Sequence, residues 1–195
     1  MSSRQVDPAV KRSAIRVVVL SLISLGIYQL YWFYITRQQL NAELGAKRSL
    51  ARHSVAMQTF GPPLLGLFSV PLVFVFVGIV LLPVAIGLEV AVWYYLVKDI
   101  SRLREDAKLS PIQPGLYVVG YIALSLLASG VGLVMLGLAA ANLNEYWDKV
   151  SRGKAVEARY TAAEIIVSTI GLVLTVVGVI AAILLAVISN FGSTF

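Results

Sequence analysis

The stretch "IIVSTIGLVLTVVGVIAAILLAVISNFGSTF", Ile165–Phe195, runs for 31 residues without a charged side chain. A helix needs about 20 apolar residues to cross a ~30 Å hydrocarbon core, where lipid offers backbone amides and carbonyls no partner. Working outward from it, three more uncharged stretches appear: Val17–Thr36, Ser54–Leu88 and Leu109–Asn144, of 20, 35 and 36 residues. Only 13% of the 195 residues are charged and 58% are apolar, far from a soluble average. The pattern predicts an all-α integral membrane bundle of about four transmembrane helices, one domain over 1–195 with apolar segments near 17–36, 64–97, 115–141 and 162–189.

The first segment follows Lys11, Arg12 and Arg16 as a signal peptide would, but it ends in "YWFYITRQQL" instead of a small-residue cleavage site. It is therefore expected to stay as an anchor. In the second, Ser54–Val97 would be ~66 Å long as one helix, so Pro62, Pro63, Pro71 and Pro83 are the expected breaks. A single span from Leu64, kinked near Pro83 and leaving the membrane around Trp93, is preferred to a hairpin, whose turn in "VGIVLLP" would offer the far interface no polar residue. The third should run from about Gly115 to Ala141, and "TAAE", Thr161–Glu164, is a capping box that starts the fourth.

Four polar segments, 1–16, 37–53, 98–108 and 145–164, separate these runs, and each holds four Lys or Arg. Simple alternation of four spans places eight such residues on either face, so the positive-inside rule gives no orientation. One escape is a stretch that dips in and returns, and the first, broken by Gly26, is its best candidate. The net charge of +6 lies beside apolar runs and suits anionic headgroups rather than nucleic acid. With no cysteine and only His53, thiolate and histidine-cluster metal sites are excluded, and no cofactor is expected.

Aligning residues 18–37 with 79–98 exposes a shared G-x5-W-[FY]-Y-x2-[KR] pattern. Tyr31, Trp32, Tyr34 and Arg37, and again Trp93, Tyr94, Tyr95 and Lys98, read as interfacial anchors, rings at headgroup level with a cation reaching phosphate. A binding surface for a lipid or a cation is the alternative. The stretch "SLGIYQLYWFY" followed by "QQLN" also resembles the signature of a prokaryotic family of small multi-pass membrane proteins of unknown function, T-x-G-I-Y-x-x-Y-W-F-Y and then an asparagine. Gly26, Ile27, Tyr28, Tyr31, Trp32, Phe33, Tyr34 and Asn41 match, and Ser24 replaces threonine. The resemblance implies an uncharacterised membrane domain and supplies no catalytic residue.

Glu89 is the one acidic residue inside an apolar stretch. An intramembrane carboxylate marks a proton or cation path unless an interfacial ion pair accounts for it. Asn142 and Asn144 with Asn41 form a second polar candidate. Gly171, Thr175, Gly178 and Ala182 line one face of the last span and suit close helix packing, within the chain or between copies; Ser125, Ala128 and Gly132 make a weaker version. The connector "KDISRLREDAKLSP" and His53 read as solvated surface. No hydrolase elbow, zinc-protease, nucleotide-loop or dinucleotide motif is present. The leading expectation is a non-enzymatic scaffold or accessory subunit of a bacterial plasma membrane, touching anionic lipid and a membrane protein partner or its own copies. The alternative is a conduit for protons, cations or a small solute through Glu89.

Overall fold

The computed structural model describes residues 10–24, 26–45, 54–72, 77–127 and 130–192. Among them are seven helices, α1 (Ala14–Ile23), α2 (Ile27–Leu44), α3 (Val55–Leu72), α4 (Val77–Asp106), α5 (Pro114–Leu127), α6 (Leu133–Val150) and α7 (Ala162–Gly192). Two short strands, β1 (Val10–Lys11) and β2 (Val156–Glu157), pair in parallel.

Each of the first three uncharged stretches is a helical hairpin, not the single helix expected over 17–36, 64–97 or 115–141. In the first, Ser24 closes α1 through its amide on the Leu20 carbonyl at 3.1 Å, and Gly26 takes φ +86°. A residue with a Cβ pays about 1–2 kcal/mol in that left-handed region, which glycine enters freely. Ser24 Oγ then accepts from the Tyr28 amide at 2.9 Å, satisfying a donor at the start of α2. The third stretch reverses at Gly130, φ +89°, and Gly132 lies so close to α5 that a Cβ there would meet the Tyr121 carbonyl at 2.8 Å.

The second hairpin runs α3 against α4, and Gly66 faces Ala85 across it. α3 begins at Val55, earlier than the predicted Leu64, because Ser54 Oγ accepts from the Met57 amide at 3.1 Å. Pro62, Pro63 and Pro71 all lie within α3, and Pro83 lies within α4. The predicted capping box is present: the Glu164 amide donates to Thr161 Oγ1 at 3.1 Å while Glu164 Oε2 accepts from the Thr161 amide at 2.9 Å. Two helices are long and apolar enough to cross a membrane, α4 over Ile79–Asp106 and α7 over Ala162–Ser189, in place of a clear four.

The buried core gathers away from the hairpin turns, around Trp32 and Leu40 of α2, Leu96 and Ile100 of α4, and Leu136, Leu143 and Trp147 of α6. Ion pairs knit the polar segments together at this end, which forms the base. Lys11 meets Asp148 at 2.9 Å, Arg12 and Arg16 meet Glu164 at 3.4 and 2.6 Å, Arg37 meets Asp99, and Arg104 meets Glu145 at 2.7 Å. Those contacts link all four polar segments. Beyond the base the helices are coated with exposed apolar side chains, among them Leu67 and Phe68 of α3 and Leu126 of α5.

Candidate functional site

Three helices enclose a small chamber around Glu89. α4 contributes Glu89, Val92 and Trp93, α2 contributes Gln29, Leu30 and Phe33, and α3 contributes Gln58, Thr59, Pro62 and Pro63. The offsets of three and four residues put each set on one helical face. The void holds about 30 Å³, the share of liquid volume that one water takes. The Glu89 side chain is exposed at the open side, while Trp93 is buried and its Nε1 has no hydrogen-bond partner. An indole nitrogen can only donate, and a buried donor without an acceptor costs about 1–3 kcal/mol. Phe33 fixes the Trp93 ring edge-on at 6.5 Å, and Tyr121 of α5 closes its other side at 5.6 Å.

The expected anchors divide. Trp32, Trp93 and Arg37 are buried, so the reading of these three as headgroup contacts is corrected. Arg37 is fully enclosed because Asp99, on α4, supplies the counter-charge. Tyr94 is exposed and Tyr95 and Lys98 are half-buried, with Lys98 Nζ 5.8 and 5.9 Å from the two ring centres. Tyr31 bonds Thr161 Oγ1 at 3.1 Å, and Tyr34 packs on Phe60 at 6.0 Å.

The small-residue face of α7 is half occupied. Gly171 lies against Ser24, and Thr175 Oγ1 donates to the Ile23 carbonyl at 2.9 Å, so the first hairpin docks there. Gly178 has open space where a Cβ would stand, and Ala182 is exposed. Ser125 and Gly132 do not line one helix face; they touch across the turn of the third hairpin. Asn144 clamps the backbone of Arg12, accepting from its amide at 3.1 Å and donating to its carbonyl at 2.6 Å, whereas Asn142 donates to the Tyr117 hydroxyl at 2.6 Å. The two asparagines thus serve different partners. His53 lies outside the described residues.

Glu164 was marked by its capping role, but the sequence does not show that it is also a hub. It is fully buried and receives Arg12, Arg16 and the Tyr28 hydroxyl, the last at 2.9 Å. Arg16 also stacks on Tyr160, 3.6 Å from the ring centre. Nearby in the base, burial and then the carboxylates of Glu43 and Asp106 push the Tyr146 phenol up to about 12. The first turn of α1 holds Arg16 but no acidic residue, so it gives no local hint of the Glu164 carboxylate, more than a hundred residues away.

No curated protein and no solved structure matches the chain. Residues 12–105, from the entry to α1 to the last turn of α4 and including the whole Glu89 chamber, match the family described as Domain of unknown function (DUF4234), a little under half of the chain.

Proposed function

We propose that the protein is a non-enzymatic, multi-pass protein of a bacterial plasma membrane that takes a proton, a small cation or a small polar solute at Glu89. The observation that carries this is the pairing, in one water-sized chamber, of the only intramembrane carboxylate with the unpartnered indole donor of Trp93. A carboxylate attracts a cation or proton and the indole holds an oxygen beside it, such as that of an accompanying water. In reconstituted vesicles, Glu89→Gln is expected to abolish flux of protons or monovalent cations. Flux equal to wild type would sink the proposal.

The membrane placement is part of the same proposal. The base lies on the cytoplasmic, anionic surface, α4 and α7 cross, α3 runs beside α4 as its hairpin partner, and the α1–α2 and α5–α6 hairpins dip and return. The four basic segments then all face one side and the uncharged C-terminal run faces the other, which removes the charge tie and orients the protein by the positive-inside rule. The scaffold reading is favoured by one observation: the small-residue face of α7 continues past the docked hairpin through the open Gly178 and Ala182. A partner helix or a second copy would sit there.

A further inference from the structure

The turns of the first and third hairpins meet, and between them lies a cavity of about 240 Å³, roughly eight times the ~30 Å³ share of one water. Ser21 and Gly26 line it from the first hairpin, Tyr121, Ser125 and Gly130 from the third. It is separate from the Glu89 chamber, with Tyr121 in the wall between, its ring against Trp93 and its hydroxyl 3.5 Å from Gln29 Nε2. Ser21 is fully buried, and its Oγ has no hydrogen-bond partner. Tyr121 and Ser125, each carrying a hydroxyl, also line it, and none of its lining residues is charged.

The depth of the cavity selects among ligands. Ser24, at the turn of the first hairpin, lies against Gly171 of α7, nine residues past Ala162 and therefore ~14 Å along the helix from its base end. A charged headgroup there would lack both water and a counter-charge, and its burial would be costly. Uncharged oxygens meet no such penalty, and three residues with hydroxyl groups line the space. The wall itself points to how an occupant enters. Leu22 lines the cavity and is half exposed, and Leu126, next to Ser125, is 83% exposed on the surface of α5. An acyl chain can lie along these leucines while its polar end reaches the hydroxyls.

We propose that this cavity binds an uncharged lipid whose head carries hydroxyl or carbonyl oxygens, as a diacylglycerol does, held by Ser21, Tyr121 and Ser125. The site is independent of Glu89 and of any flux through it. The 5.6 Å contact between Tyr121 and Trp93 supplies a reporter, because a heavy atom on a lipid chain beside the cavity quenches that indole. The experiment adds brominated diacylglycerol to the full-length protein in nanodiscs and follows tryptophan fluorescence, with brominated phosphatidylglycerol and free glycerol as the other arms.

Saturable quenching by the diacylglycerol alone is expected. The Ser21→Ala/Ser125→Ala variant should bind it about tenfold more weakly, each lost hydrogen bond being worth roughly 0.5–1.5 kcal/mol. Tyr121→Phe, which keeps the ring against Trp93, should weaken it several-fold and guards against a double variant that fails to fold. Quenching that never saturates, that is unchanged in both variants, or that phosphatidylglycerol matches would overturn the assignment. Displacement by free glycerol would overturn the lipid as occupant in favour of a soluble polyol.

Discussion

Arg37 illustrates how one side chain can be misjudged from its neighbours. An arginine following an aromatic belt suits a phosphate, and the sequence gives no local reason to read it otherwise. In the fold its guanidinium is fully buried on Asp99, 62 positions away, with Arg102 adding a second, longer contact to the same carboxylate at 3.6 Å. Removing one partner of such a pair leaves an uncompensated charge in the interior, whereas replacing both with apolar groups is often close to neutral. Arg37→Leu is therefore expected to destabilise the folded protein by roughly 3–5 kcal/mol in denaturant titrations in detergent, and Arg37→Leu/Asp99→Leu to recover most of that. A double variant as unstable as the single one would mean that Asp99 is not the group that makes Arg37 necessary. Glu89 was legible at this scale, since a lone acid in a run of apolar residues needs no partner to be noticed. Trp93 was misread because its indole faces a helix pair that the local sequence does not mention.

At the scale of the element, the difference between docked and open glycines decides what a substitution does. A methyl on Gly171 runs into Ser24, so Gly171→Ala should cost about 1–3 kcal/mol through overpacking and loosen the first hairpin from α7. A Cβ at Gly178 meets nothing among the described residues, so Gly178→Leu should leave thermal unfolding of the monomer unchanged. If Gly178→Leu also alters co-purification or cross-linking between copies, that face carries an intermolecular contact. If it instead unfolds the protein as Gly171→Ala does, the distinction between the two halves of α7 is wrong. The start of α7 could be read in advance because a capping box is closed by residues three apart. The hairpins were harder to see, since proline is the residue that breaks a helix in isolation. Here α3 and α4 absorb their prolines, and the reversals at Gly26 and Gly130 depend on a backbone sign that composition does not display.

For the whole molecule, hairpins and alternating spans make opposite statements about where the connectors lie. The cysteine-free chain allows single reporters at exposed positions. Glu105→Cys and Arg152→Cys are expected to react with an impermeant thiol reagent from the same face of the membrane, and Ser189→Cys only from the other. Labelling of the first two from opposite faces would restore four alternating spans. The base has one more property, which concerns time. Its first basic residues find their partners only at the far end of the chain: β1 pairs with β2, and Arg12 and Arg16 with Glu164, 152 and 148 positions later. At about 5–20 residues per second, synthesis of that interval takes about 7–30 s. Throughout it the α1–α2 hairpin has two uncompensated arginines and no α7 to dock on, so nascent chains cut short before residue 164 should be the form that quality-control proteases recognise.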